Sequence, residues 1–119
     1  MYNYTDNVEF LLDICRHTAA PVSCAIWIIK EHESIAFRLL EGLLLKDTTN
    51  LLHYTRNSIR FKNGSQIDIL CCYENYRGRK YTFSLYEKDI GEKFLSNIIY
   101  PTTSFGFAPK TFWFEEEEL

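Results

Sequence analysis

The run VSCAIWII, residues 22–29, constrains this chain more than any other stretch. Eight consecutive residues with almost no polar side chain, rich in β-branched and aromatic types, fit a strand covered on both faces. Such a strand belongs in the centre of a sheet. It is also far short of the roughly 20 apolar residues that span a bilayer. The start MYNYTDNVEF has no basic segment leading into an apolar one, so we expect a soluble, cytoplasmic protein with no membrane partner.

Helical spacing surrounds that strand. Val8, Leu11, Leu12 and Cys15 recur at i, i+3, i+4 and i+7, with Thr5 or Asp6 as capping residues ahead of them. After KEHE, Ser34 offers a cap for a second helix whose buried stripe reads Ile35, Leu39, Leu40, Leu43 and Leu44. A third pattern pairs Asp89 with Glu92 as a capping box and buries Phe94, Leu95, Ile98 and Ile99 before Pro101 stops it. The helices are therefore expected at about 6–17, 34–45 and 89–99, while 47–57 reads as a polar connection with room for a short strand.

Between the second and third helices lies a hairpin, 58–70. If its sheet has one buried face, Ile59 and Phe61 must share a side with Ile67 and Ile69. A two-residue Asn63-Gly64 turn sets Phe61 against Gln66 and Ile59 against Asp68, which mismatches the faces. A three-residue loop, Lys62-Asn63-Gly64, sets Phe61 against Ser65 and Ile59 against Ile67, with Gly64 in the left-handed conformation. We predict that loop. ENYRGRK, 74–80, is then a basic turn, and YTFSLY, 81–86, a further strand.

These patterns define an α/β fold: a small three-layer or two-layer sheet in a single domain, 1–119, ending in an aromatic and acidic tail. A chain of 119 residues suits one core. Its four cysteines, Cys15, Cys24, Cys71 and Cys72, have no metal-ligand spacing with one another or with His17, His32 and His53, and read as buried thiols in a reducing compartment. Nothing in the sequence calls for a cofactor.

The runs IRFKNGSQIDIL and ENYRGRKYTFSLYEKDI, within residues 22–100, resemble the ATPase core of phage terminase large subunits. In that family a hairpin of this type precedes an Arg-Gly loop and the acidic strand that holds Mg²⁺. The resemblance implies a phosphate-cradling Walker A loop near residue 20, but CRHTAAPVS has neither glycine nor lysine. It also implies adjacent metal-binding and water-positioning acids, where this chain has Glu87 and Asp89 with Lys88 between them. Without the phosphate loop, the groups that stabilise a transferred phosphoryl are gone. The expectation is a non-catalytic phage or mobile-element protein, with residual ATPase or packaging-related activity as the lesser alternative.

Two binding surfaces stand out. Phe112, Trp113 and Phe114, followed by Glu115 and Glu116, combine interface-anchoring aromatics with steering charge for a protein partner, and a homodimer is a further option. A strand completing the sheet explains the same aromatics without any partner. Arg56, Arg60, Lys62, Arg77, Arg79 and Lys80, with Tyr73, Tyr76 and Tyr81 to stack on bases, form the alternative: a nucleic-acid surface. Against it stands a net charge of −3, which gives no long-range attraction to phosphate.

Overall fold

The computed structural model describes residues 4–71, 80–87, 90–103 and 111–114, with side chains omitted at 4–7 and 111–114. The elements run α1 (Tyr4–His17), β1 (Ser23–Ile28), a 3₁₀ turn (Lys30–His32), α2 (Glu33–Lys46), β2 (Leu51–Tyr54), β3 (Ser58–Phe61), β4 (Gln66–Cys71), β5 (Phe83–Glu87), a third helix and β6 (Thr111–Phe114). The third helix joins an α turn at Glu92–Phe94, a π-wound segment at Leu95–Ile99 and a final turn at Tyr100–Thr102. The strands form one mixed sheet in the order β2-β3-β4-β1-β5-β6. Among them β1 pairs in parallel with both β4 and β5, and β6 extends β5 in parallel, while β2, β3 and β4 are antiparallel neighbours.

The apolar run is the central strand, and its alternation divides the core in two. Cys24, Ile26 and Ile28 point to one face, where they meet Val8, Leu11, Leu12 and Cys15 of α1 and Ala36, Leu40, Leu43 and Leu44 of α2. Ala25 and Trp27 point to the other face and pack with Tyr81, Tyr86 and Ile99, with Phe94, Leu95 and Ile98 against them. Helices thus cover both sides of the sheet, giving three layers. Trp27 anchors the second face: its ring stands edge-on to Tyr81 and Phe94, and its Nε1–H donates to Ser84 Oγ at 3.2 Å. Ser84 Oγ in turn lies 2.6 Å from Thr103 Oγ1, so the buried indole N–H and both buried hydroxyls have partners.

The hairpin adopts the three-residue loop. Ile59 pairs with Ile67, the Phe61 N–H donates to the Ser65 carbonyl at 2.9 Å, and Gly64 has φ of +93°. A Cβ at Gly64 would also lie 3.2 Å from Pro21 Cγ, so both conformation and space favour glycine. This loop finishes α1 as well. Asn63 Nδ2 donates to the Cys15 carbonyl at 2.8 Å, and Asn50 Nδ2, from a residue with φ of 59°, donates to the Arg16 carbonyl at 2.6 Å. Carbonyls that a helix end leaves orphaned are thereby paired from the hairpin loop and from the turn between α2 and β2.

Several local expectations are corrected. Leu39 is 42% exposed and Ala36 takes its place in the buried stripe, because Ala36, Leu40, Leu43 and Leu44 lie nearer one line of the helix. The helix starts also move: α1 begins at Tyr4, ahead of Thr5 and Asp6, α2 has His32 rather than Ser34 at its N-cap, and the third helix has Gly91 there. Neither of those two residues caps its helix with a side-chain hydrogen bond. Pro101 does not end the third helix, which continues to Thr102. The π segment, closed by the Tyr100 N–H to the Leu95 carbonyl, widens the preceding turn, and Thr102 Oγ1 donates to the Ile98 carbonyl at 2.6 Å. A wider turn relieves the clash that a proline ring makes with the carbonyl four residues earlier. The open stretch 47–57 contains β2, whose register breaks between Leu51 and His53. Among the described residues, no helix is long and apolar enough to cross a membrane.

Candidate functional site at the carboxyl ends of the central strands

In open α/β sheets, ligands bind outside the carboxyl ends of the strands, where connections from neighbouring strands leave to opposite faces. That place here lies between β1 and β5. The helix following β1 packs on the face that carries Ile26, and the helix following β5 packs on the face that carries Trp27. Three groups meet at this point: the Ile29 N–H at the end of β1, His32 in the turn before α2, and Glu87 at the end of β5.

Glu87 is 3% exposed, and both of its oxygens are engaged. Oε2 accepts the Ile29 N–H and Oε1 pairs with His32 Nδ1. A carboxylate taken out of water needs such partners, since leaving one buried alone costs several kcal/mol, about 3–5 where a buried ion pair is broken. The pairing joins the ends of two adjacent parallel strands to the start of α2. His32, with its side chain 28% exposed, forms the outer rim. On the other flank of β1, Cys71 Sγ donates to Glu33 Oε2 at 3.0 Å at the end of β4. The edge therefore presents a carboxylate–imidazole pair and a thiol–carboxylate pair, and no group of three His, Cys, Asp or Glu among the described residues is placed to hold a metal ion.

This arrangement bears on phosphate chemistry. A phosphate loop follows a strand and opens a helix, so that backbone N–H groups and the helix dipole face the anion. The stretch CRHTAAPVS instead leaves α1 and enters β1, at the opposite edge of the sheet. The connection that does follow β1 is Ile29-Lys30-Glu31-His32-Glu33, with no glycine and with acids at Glu31 and Glu33. Negative charge in the first turn of α2 uses up the favourable dipole and repels phosphate.

The sequence-predicted basic cluster is spread out by the fold. Arg60 stands exposed on β3 between its register partners His53 and Gln66, and Lys62 in the hairpin loop and Lys80 before β5 flank the same amino edge of the parallel strands. Arg56 lies at the other end of β3, over the Phe37 ring of α2 at 5.9 Å. Tyr81 is 1% exposed and its hydroxyl donates to Asp68 Oδ2 at 2.8 Å, so it is a core residue with no face for a base. Arg77, Arg79, Tyr73, Tyr76, Glu115 and Glu116 lie outside the described residues. Phe112, Trp113 and Phe114 are in β6, in register with Leu85, Tyr86 and Glu87. The aromatic segment is thus a border strand of the sheet.

Two features escaped the sequence reading. On the sequence His32 is one of three scattered histidines, although a polar residue just after a doubly covered strand falls where α/β sheets gather their working groups. Arg16 is 5% exposed beside Asp13 at 3.1 Å and Asp47 at 3.9 Å. It sits on the α1 face flanking Leu12 and Cys15, and helical spacing alone gives no sign that an arginine there is covered.

The fold and this edge define a small three-layer α/β protein with a mixed six-stranded sheet. No protein-family model matches the chain, and no curated protein matches its sequence.

Proposed function

We propose that the chain is a non-catalytic binding protein on a terminase-like α/β core, of phage or mobile-element type and cytoplasmic, that acts by engaging a protein partner. One observation carries the non-catalytic part. Glu87, which the terminase resemblance would make a metal-binding acid, is buried and spends both oxygens on Ile29 and His32. A Mg²⁺ ligand must present a carboxylate oxygen to the ion. The acidic, glycine-free connection after β1 supports the same reading.

The partner surface is the sheet border at β6, with Glu115 and Glu116 following it in sequence. Among the described residues β6 pairs with β5 alone, and a border strand of this kind is a template for an added strand. The opposite border, β2, carries a register break of the kind that blunts an edge against pairing. Reversing Glu115 and Glu116 to lysine tests the surface: a partner captured by the wild type is expected to be lost while the melting temperature stays unchanged. Retained capture would remove the acids from the interface. Trp113→Ala separates the two roles of the strand, since a fall in stability marks packing and a selective loss of capture marks contact.

A nucleic-acid reading has one observation in its favour, the exposure of Arg60, Lys62 and Lys80 toward one edge. It requires oligonucleotide binding that weakens steeply with salt.

A further inference from the structure

Cys15 and Cys24 are the buried nucleophilic groups that the proposed function leaves unused. Cys15 faces the sheet from the last turn of α1, Cys24 faces α1 from the central strand, and both are fully buried. Their sulfurs are 3.8 Å apart, and one thiol donates to the other. A disulfide of about 2.05 Å requires the two sulfurs to close that gap. Cys71, the other buried thiol described, donates to Glu33 Oε2 at 3.0 Å.

We propose that Cys15 and Cys24 are a redox latch, oxidised by a small-molecule disulfide to a protein disulfide that fastens α1 to the central strand. The thiolate of one cysteine attacks a sulfur of the reagent, expelling one equivalent of thiol and leaving a mixed disulfide. The thiolate of the other then attacks the protein-bound sulfur and expels the second equivalent. The protein loses two protons and two electrons, and the reagent is reduced to two thiols.

The closed fold restrains this chemistry. The hydrogen bond with Cys15, together with burial, pushes the Cys24 thiol far above its ordinary range, and only thiolates attack. Neither sulfur is reachable until α1 lifts from the sheet. The pair therefore stays reduced in the resting protein and reacts when the helix opens, so the cross-link records that opening and then prevents it. A bond between residues so close in sequence restricts the unfolded chain only over a short loop, and its main effect in the folded state falls on α1.

The test incubates the full chain with glutathione disulfide, unfolds it in the presence of an alkylating agent and maps its peptides. The expected product lacks the mass of two hydrogens, joins the Cys15 and Cys24 peptides, and is reversed by dithiothreitol. The oxidised protein should unfold at higher urea, and its α1 amides should exchange more slowly than those of the reduced protein. Cys71→Ser should keep these shifts, whereas Cys15→Ser and Cys24→Ser should lose them. Because the mapping is done on the wild type, it stands even where a serine variant fails to fold. Alkylation of both Cys15 and Cys24 after oxidation would overturn the proposal. So would a disulfide through Cys71 or Cys72, or a Cys15–Cys24 bond that leaves urea unfolding and α1 exchange unchanged.

Discussion

Glu87 shows how a residue's role depends on what a fold places beside it. On the sequence it is the first of two acids after a hydrophobic strand, equally readable as a metal ligand or as the acid opening a helix. In the structure it closes a contact across 58 residues to Ile29 and across 55 to His32. Local spacing carries no information about which strands become neighbours, so this pairing was illegible until β5 was laid beside β1. Glu87→Ala removes the acceptor of the Ile29 N–H and the partner of His32 Nδ1. We expect a loss of about 2–3 kcal/mol in urea unfolding, the cost of leaving buried groups without a charged partner. Asp47 supplies a residue-level pH effect. Its carboxyl is held below the usual range by the Thr49 hydroxyl, at 2.6 Å, and then by the Thr49 N–H, with Arg16 and His17 adding to the effect. A depressed folded-state pKa stabilises the fold above the unfolded value, about 3.9, and this contribution is lost as pH falls through the folded value. Asp47→Asn should therefore lose less stability than the wild type between about pH 5 and pH 2, measured as the change in urea midpoint.

Among the elements, those with strict periodicity were the most legible. The face Val8, Leu11, Leu12 and Cys15 of α1 is wholly buried, and the alternation in 58–70 fixed the hairpin register because any one-residue slip would turn Ile67 and Ile69 to the wrong side. Element ends were less legible. The side-chain capping signal at Ser34 lost to local chain geometry: α2 starts straight from the 3₁₀ turn that brings His32 to Glu87. Asp89 lies outside the described residues, and the third helix has Gly91 at its N-cap. Gly64→Ala tests the hairpin loop. It forces a side chain into a left-handed residue and against Pro21, and should cost more than about 1 kcal/mol, seen as a melting temperature lower by about 4 °C or more. Asn63→Ala should be felt in a different element. It removes the donor to the Cys15 carbonyl, so the last turn of α1 should show faster amide exchange, with a stability loss of about 1 kcal/mol.

At the scale of the whole molecule, the strand order decides what the edge can do. The apolar run made a central, doubly covered strand readable, but the placement of β6 beside β5 and the spreading of Arg56 away from Arg60 and Lys62 are properties of topology that local patterns do not contain. The same topology sets Glu87 at the switch point and moves the CRHTAAPVS stretch to the opposite edge. Among the described residues at the carboxyl edge, Glu87 is engaged by Ile29 and His32 and the connection after β1 has no glycine, so they offer triphosphate neither a cradle nor a free metal ligand. Calorimetric titration of the full chain with ATP and Mg²⁺ tests this most directly. The account predicts no heat of binding at any accessible protein concentration. Mg²⁺-dependent binding that disappears in Glu87→Gln would contradict it, by showing that the carboxylate leaves Ile29 and His32 to take up the ion.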